Sequence, residues 1–268
     1  MNHTTIANAL LLSRQNSTLC PPPSDNPAYS LTDAYAVAKI HLDAARTNGM
    51  TPVGRKIGFT NPTAWSAMKL NTAVWGYVYD KTVFDMTAGH TSHDLQGALQ
   101  PKIEVEIMFG LKSTVPGTGD PVDALSAVAW IALGFEVVSC PYPDSKFLGV
   151  DAVSSFGLHR ALYVGAKRMI TADDDLVAIV AALGSVTARI YKNNELVGEG
   201  SGKIVLGNPA KALAALGIIT ANQTQFEPLA AGEIISSGTL TPPPFVAVGD
   251  LIRAEVAGYD LAPVQITF

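Results

Sequence analysis

The segment Pro101-Lys-Ile-Glu-Val-Glu-Ile-Met-Phe109 constrains the fold more than any other stretch of the chain. Its side chains alternate with the period of a β-strand, so one face is wholly apolar. The other face carries Lys102, Glu104, Glu106 and Met108. The two glutamates stand side by side, roughly 7 Å apart at their Cα atoms. The chain must therefore fold so that one strand face meets a core while two like charges share the other.

Neighbouring carboxylates on a covered strand face repel each other, and a bound cation relieves that repulsion. A third carboxylate, Glu136, lies in the apolar stretch Leu-Gly-Phe-Glu-Val-Val, where a charged side chain needs a partner. Three carboxylates, with no histidine or cysteine spaced as ligands, favour Mg²⁺ or Mn²⁺ over Zn²⁺. Two alternatives stay open: Glu104 and Glu106 are solvated on an exposed face, or Glu136 pairs with a lysine or arginine.

The order of the predicted elements divides the chain into an N-terminal helical portion, residues 1–50, and a metal-binding, β-rich catalytic domain, residues 51–268. Strand patterns dominate after residue 50, with a few helices between them. One of these helices is predicted over Val122–Ala132, and a strand is predicted to follow it over Leu133–Ser139. No repeat or flexible linker separates the two portions, which are expected to form one compact unit. This order predicts the α+β class.

Charge and hydropathy exclude several classes of function. The net charge of −5 and the lack of a basic cluster make nucleic acid an unsuitable partner. No uninterrupted apolar run of 18 residues is present, so we expect no membrane span and a cytoplasmic protein. Neither a dinucleotide fingerprint nor a phosphate-binding loop motif occurs.

Other segments place polar groups where they could meet the carboxylates. Arg55 and Lys56 are adjacent on a predicted strand, so they face opposite ways and one of them can point inward. A buried lysine beside a metal-bound acid would transfer a proton or bind a substrate carboxylate. Asp80 ends the apolar run Gly-Tyr-Val-Tyr, and a Ser-Gly-Thr turn at 237–239 offers hydroxyls and backbone N–H groups to an anion.

In combination these segments resemble the fumarylacetoacetate hydrolase superfamily. Within it they most resemble the 2-hydroxypenta-2,4-dienoate (2-oxopent-4-enoate) hydratases and the 4-oxalocrotonate decarboxylases of meta-cleavage pathways for aromatic hydrocarbons. The resemblance runs from about residue 30 to the C-terminus and rests on the ordered set rather than on any one motif. The matching segments are Gly54–Thr60, Gly76–Asp80, Pro101–Glu106, Phe135–Val138, Gly200–Pro209, Gly232–Thr239 and Val248–Asp250.

The resemblance implies a fold and a set of site residues. The fold would be a mixed β-roll core with an N-terminal helical portion. The family's metal ligands correspond to Glu104, Glu106 and Glu136, which would bind Mg²⁺ or Mn²⁺. Lys56 and Asp80 would form the proton-transfer pair. The candidate substrate-binding residues are Ser237, Gly238, Thr239 and His159.

The chain departs from the family pattern between residues 151 and 159. Asp151 corresponds to the aspartate of a family Val-Ala-Asp-Asn segment, but Ala152 stands where the asparagine would be. His159 is a new polar residue in this region, with a purely structural histidine as the alternative. We expect this segment to lie near the substrate and to alter which substrate is accepted.

The implied activity is a lyase reaction on a small 2-oxo or 2-hydroxy dienoic acid. A hydratase would add water to give a 4-hydroxy-2-oxo acid through a metal-chelated enolate, and a decarboxylase of the 4-oxalocrotonate type is the alternative. A hydrolase of acylpyruvates is disfavoured because no histidine occurs between His41 and His90. From another class, a non-catalytic metal-binding partner subunit stays open. The resemblance also implies a homo-oligomer, in some cases complexed with a related pathway enzyme.

Overall fold

The computed structural model describes residues 2–268, in which helices come first and strands dominate thereafter. The helices are α1 (His3–Asn16), α2 (Leu31–Thr47), α3 (Trp65–Met68), α4 (Pro121–Ser126), α5 (Gly149–Ser154), α6 (Leu176–Ser185) and α7 (Pro209–Ala221). The strands are β1 (Pro52–Gly58), β2 (Val74–Tyr79), β3 (Val83–Asp85), β4 (His90–Ser92), β5 (Lys102–Leu111), β6 (Val128–Val138), β7 (His159–Val164), β8 (Arg168–Met169), β9 (Thr187–Lys192), β10 (Glu195–Ser201), β11 (Ile234–Thr239), β12 (Leu251–Ala257) and β13 (Val264–Thr267).

Two mixed sheets form the β-rich part of the molecule. The larger runs in the order β2-β1-β11-β5-β6-β7-β3, with β8 paired to β6. The smaller runs β10-β9-β12-β13-β4. β5 and β6 lie in the middle of the larger sheet, so β5, which carries Glu104 and Glu106, has a neighbouring strand on both sides. The predicted α+β class, with helices leading and a mixed sheet following, is confirmed.

The N-terminal helices pack onto the larger sheet. Ser30 and Asp33 form the capping box that begins α2. Tyr35 of α2 contacts Trp75 of β2, with 5.6 Å between ring centroids, and both belong to the main hydrophobic core. Helix α2 and the β-rich portion therefore share one core. The division at residue 50 into two portions stays a prediction.

The predicted helix over Val122–Ala132 is wrong in its second half. Helix α4 ends at Ser126, and Val128 already begins the long strand β6. β6 pairs with β5 on one side and with β7 and β8 on the other, and most of its residues are buried. A strand covered on both faces reads as a continuous apolar run, which periodicity cannot distinguish from a buried helix.

One helical stretch, Gly202–Ala221, passes a test of length and mean hydropathy for crossing a membrane. About half of it, 56%, is buried inside the fold. Leu213, Leu216 and Ala212 of α7 lie in the main core at 0% exposure. The stretch therefore packs as a core helix.

Candidate active site

The register of β5 and β6 brings the three glutamates together. Glu104 lies directly opposite Glu136, and Glu106 follows two residues later on the same face of β5. One carboxylate oxygen from each lies within 4.8 Å of the other two. Glu106 and Glu136 are fully buried, and the Glu104 side chain is 17% exposed. The open alternative of solvated glutamates is therefore wrong.

The Glu106 carboxylate is held by the neighbouring strand β11. Its Oε2 accepts hydrogen bonds from the Ser236 hydroxyl and, at 2.9 Å, from the Gly238 amide. A register shift between Ser236 and Thr239 turns that amide toward the carboxylate. Gly238 has a φ of +99°, and a Cβ there would lie 2.1 Å from the Thr60 Oγ1. Only glycine fits at position 238. The predicted Ser-Gly-Thr turn therefore holds the Glu106 carboxylate of the protein, through the Gly238 amide.

Lys56 supplies the cation next to the cluster. Its Nζ donates a 3.0 Å hydrogen bond to the Gly157 carbonyl and lies 3.2 Å from Glu136 Oε2 and 3.9 Å from Glu104 Oε2. The prediction that one of the adjacent pair Arg55 and Lys56 can point inward is confirmed for Lys56, and Arg55 is buried as well. The alternative that Glu136 pairs with a cation also holds. One ammonium nevertheless faces three carboxylates.

Burial and mutual repulsion shift the pKa values of the cluster. Burial, then Glu136 and Glu104, raise the pKa of Glu106 well above its ordinary value. Burial raises the pKa of Glu104 to about 7, although Lys56 lowers it. Burial would also raise the pKa of Glu136, but Lys56 and His159 lower it overall. The site therefore resists holding three negative charges even with the Lys56 ammonium beside them.

The donor set fits a hard divalent cation. Oε1 of Glu106 and Oε2 of Glu136 are buried without a hydrogen-bond partner in the described part of the chain. The Lys56 ammonium lies 3.2 Å from Glu136 Oε2 as an ion pair. Buried carboxylate oxygens rarely lack a partner. Oxygen ligands of this kind suit Mg²⁺ and Mn²⁺.

We expect Glu104 to make the metal-free protein less stable as pH rises from 4.5 to about 7. Over that range the folded state retains a Glu104 proton that an unfolded glutamate has released, so the contribution of this group to the free energy of unfolding falls with rising pH. His41 and His159, whose pKa values burial lowers, contribute with the opposite sign, so the measurement compares the wild type with Glu104→Gln in a chelator. The free energy of unfolding of the wild type minus that of the variant should fall with rising pH. A variant whose slope matches the wild type would contradict the assignment.

Asp80 does not join the cluster. Its side chain is exposed, and Oδ1 accepts hydrogen bonds from the Thr51 and Lys81 amides at 3.0 Å. Thr51 lies five residues before Lys56, which along a strand is roughly 16 Å. The predicted proton-transfer pair of Lys56 and Asp80 is therefore wrong for this structure. An aspartate that closes a strand end makes a turn-stabilising contact instead.

The candidate substrate-binding residues lie around the same carboxylates. Thr239 is opposite Glu106 in register, and its hydroxyl donates to the Thr241 carbonyl at 2.8 Å. Ser237 is buried, and its hydroxyl has no partner among residues 2–268. His159 is buried against Glu136. Their contact with a substrate stays a prediction.

Two residues of the site escaped the sequence reasoning. Ser236 lies one position before the predicted turn residues, and it is this hydroxyl that bonds to Glu106. Thr82 bonds to His159 and carries no sequence signal at all.

Asp151 has a structural role: its carboxylate accepts hydrogen bonds from Ser24 and from the Leu148 amide.

Comparison with known proteins adds a family and named relatives. The model of the fumarylacetoacetate (FAA) hydrolase C-terminal family matches residues 85–265. The chain is 30% identical over 262 residues to 2-hydroxyhexa-2,4-dienoate hydratase of Comamonas testosteroni, covering 95% of this chain and 93% of the relative. It is also 30% identical over 236 residues to 4-oxalocrotonate decarboxylase of a Pseudomonas species (strain CF600), covering 88% and 85%.

The fold has a similar solved structure. The 4-oxalocrotonate decarboxylase of Pseudomonas putida G7, complexed with magnesium and adipate, superposes with a TM-score of 0.88 at 26% identity. The match covers 99% of this chain and 97% of that structure. The expected mixed β-roll architecture is confirmed by this match.

Proposed function

The chain belongs to the fumarylacetoacetate hydrolase C-terminal family, and from that membership we propose that it is a metal-dependent hydratase of a 2-hydroxy-2,4-dienoate. The observation that carries the proposal is the buried cluster of Glu104, Glu106 and Glu136 with the Lys56 ammonium beside it. Burying three carboxylates together costs folding free energy unless bound ions compensate their charge. Such clusters are therefore typical of sites that bind a cation and an anionic substrate. The hydratase relative supplies the substrate class.

The three glutamates are the proposed ligands of a divalent cation, Mg²⁺ or Mn²⁺. When bound, this cation supplies Lewis-acid stabilisation of negative charge on a 2-oxo oxygen and offsets the carboxylate charges around Lys56. The protein's own contribution is to hold the carboxylates in place. Ser236 and Gly238 fix Glu106, and the register of β5 and β6 fixes Glu104 against Glu136.

Lys56 is the proposed proton-transfer residue. Burial by itself would lower the pKa of its ammonium, but Glu136, Glu104 and Glu106 raise it overall. Its hydrogen bond to the Gly157 carbonyl directs Nζ toward the carboxylates. A proton donor in this position can protonate a substrate carbon when the dienol becomes the 2-oxo form, and the enol O–H proton released in that step restores the ammonium. Water then adds across the remaining alkene, which gives a 4-hydroxy-2-oxo acid with no other reactant or product.

A decarboxylase acting on a six-carbon diacid is the second candidate. Lys102 precedes Glu104 on the same face of β5 and is partly exposed. Its Nζ lies 4.5 Å from the ring centroid of Phe245, which holds a second cation at the edge of the cluster. Roughly 7 Å separates residues two apart on a strand, so Lys102 is suitably placed to meet a distal carboxylate. The similar structure with bound adipate, a dicarboxylate, favours this candidate too.

The discriminating experiment is a spectroscopic assay of protein reconstituted with Mg²⁺ or Mn²⁺. It offers 2-hydroxypenta-2,4-dienoate, 2-hydroxyhexa-2,4-dienoate and 4-oxalocrotonate separately and measures loss of dienol absorbance together with released CO₂. Metal-dependent loss of a dienol without CO₂ is the result we expect. Lys102→Met should then leave turnover of the monoacids near the wild-type rate.

Two other outcomes would change the assignment. Release of CO₂ from 4-oxalocrotonate, with KM raised at least about tenfold by Lys102→Met, would establish the decarboxylase, since an ion pair to a buried ligand is worth over 1.4 kcal/mol. Metal binding without turnover of any of the three acids would refute both substrate assignments. That result would leave either an altered substrate range or the non-catalytic partner subunit.

Cellular context forms the remaining part of the proposal. We propose a cytoplasmic location and a homo-oligomeric assembly, both on the resemblance to pathway hydratases and decarboxylases. Association with a related pathway enzyme belongs to the same proposal. Size measurement of the purified protein, alone and with such an enzyme, tests the assembly.

A further inference from the structure

A bulge in β7 turns His159 toward the metal-ligand face of the sheet. Glu136 pairs with Leu162 and Val137 with Ala161, so regular pairing would set Arg160 against Val138. Instead His159 is the partner of Val138, because the register shifts by one residue at this point. A one-residue shift moves a side chain to the opposite face of a sheet. His159 therefore shares a face with Glu136.

Both ring nitrogens of His159 are engaged. Nδ1 lies 2.9 Å from Glu136 Oε1, and since an ionised carboxylate only accepts, Nδ1 donates. Nε2 lies 2.8 Å from the Thr82 hydroxyl oxygen. With Nδ1 as the donor, the neutral ring accepts at Nε2 from the Thr82 hydroxyl, whose oxygen in turn accepts from the Tyr79 amide. His159 is only 1% exposed, so no water replaces these contacts.

The backbone that leads into His159 is held in an unfavourable conformation. Phe156, Gly157 and Leu158 all have φ between +56° and +64°. For the two residues with a Cβ this costs about 1–2 kcal/mol each. The Phe156 ring stacks on His41 at 4.1 Å and lies 4.7 Å from the Arg14 guanidinium. Arg14 also donates to the His159 carbonyl at 2.7 Å, so the N-terminal helices hold this turn in place.

The contacts divide the Glu136 carboxylate into two oxygens with different tasks. Oε1 is occupied by His159, whereas Oε2 has no hydrogen-bond partner in residues 2–268 and lies 3.2 Å from Lys56 Nζ. Rotation of the carboxylate would break the His159 contact. The Oε2 lone pairs are thereby kept available to the cluster.

We propose that His159, anchored by Thr82, is a positioning residue that orients Glu136 as a metal ligand. The inference rests on the proposed function, because it requires the three glutamates to bind a cation. Partners behind a metal ligand fix its orientation, and their loss weakens metal affinity about 10–100-fold. His159 takes this role in the segment where the chain departs from the family pattern.

The test compares metal affinity between matched variants of the full chain. Thr82→Val removes the hydroxyl without changing shape, and Thr82→Ser keeps it. His159→Leu removes the ring donor, and His159→Asn keeps an N–H near the Nδ1 position. Calorimetric titration with MgCl₂ and with MnCl₂ gives the affinities, and thermal unfolding in a chelator gives the stability of each metal-free variant. Thr187→Val, at an exposed position of β9, is the control.

We expect Thr82→Val and His159→Leu to weaken metal affinity about 10–100-fold, with Thr82→Ser and the control close to wild type. His159→Asn should recover part of the loss. A purely structural role would lower the melting temperature of Thr82→Val and Thr82→Ser without separating their metal affinities, which would overturn the inference. Wild-type protein that binds neither metal would refute the proposed function itself and this inference with it.

Discussion

Glu106→Gln should abolish tight metal binding and, with it, turnover. Glu106 is fully buried at the inner end of the cluster, and its Oε1 is one of the cluster's two carboxylate oxygens that lack a hydrogen-bond partner in residues 2–268. An amide keeps the shape and one acceptor oxygen but removes the charge that attracts a hard cation. Loss of a residue that only hydrogen-bonds to a metal ligand already weakens metal affinity up to about 100-fold. Loss of a ligand itself should therefore weaken Mg²⁺ affinity by more than about 100-fold.

The same substitution should not weaken the metal-free fold. Burial and the two other glutamates raise the pKa of Glu106, which means that its charged form is disfavoured where it stands. A neutral side chain relieves that repulsion, so chemical unfolding in a chelator should give a free energy of unfolding equal to the wild type or higher. Glu199→Gln, at an exposed residue paired with Arg189, is the matched control. Tight Mg²⁺ binding by Glu106→Gln would remove Glu106 from the ligand set.

Lys56→Met should lower kcat by about 100-fold or more, the usual range for a lost general acid or base. The methionine fills much of the same volume without a charge or a donor. Metal affinity should be kept or increased, because the ammonium that competes for the carboxylates is gone. Measurement of kcat, KM and metal affinity on one preparation separates a proton-transfer role from a ligand role. The exposed Lys81→Met is the control.

The free energy of unfolding of Lys56→Met provides a second test. Without the ammonium, the buried carboxylates of the metal-free protein lose their counter-charge, a change that typically costs 3–5 kcal/mol, so we expect a loss of about that size. Saturating Mg²⁺ should recover most of it, since the cation takes over the neutralising role. A variant with wild-type kcat would refute the proton-transfer assignment, whatever its stability.

The local pattern was sufficient to find the clustered glutamates. Alternation in Pro101–Phe109 placed Glu104 and Glu106 on one face, and the structure keeps them there opposite Glu136. The pattern could not distinguish helix from strand at Val128–Ala132, because every residue of that segment is apolar and its environment in the middle of the sheet decides its conformation.

Residues that act through long-range contacts were harder to predict. The pairing of Lys56 with Asp80 failed because the two lie at opposite ends of β1, a separation that depends on how β1 and β2 align. Ser236 rather than Ser237 bonds to Glu106 because Ser236 pairs with Met108 and so shares a face of the sheet with Glu106. No property of Thr82 in the sequence marks it as the anchor of His159.

The sequence by itself determined the class of fold, the family and the three glutamates, because strand alternation and motif order are properties of neighbouring residues along the chain. Only the tertiary structure decided which lysine meets the carboxylates, that Asp80 stays apart, and that His159 turns to the ligand face. These features depend on sheet register and on a bulge. A shift of one residue in pairing reverses the direction of a side chain without changing the local pattern that the sequence displays.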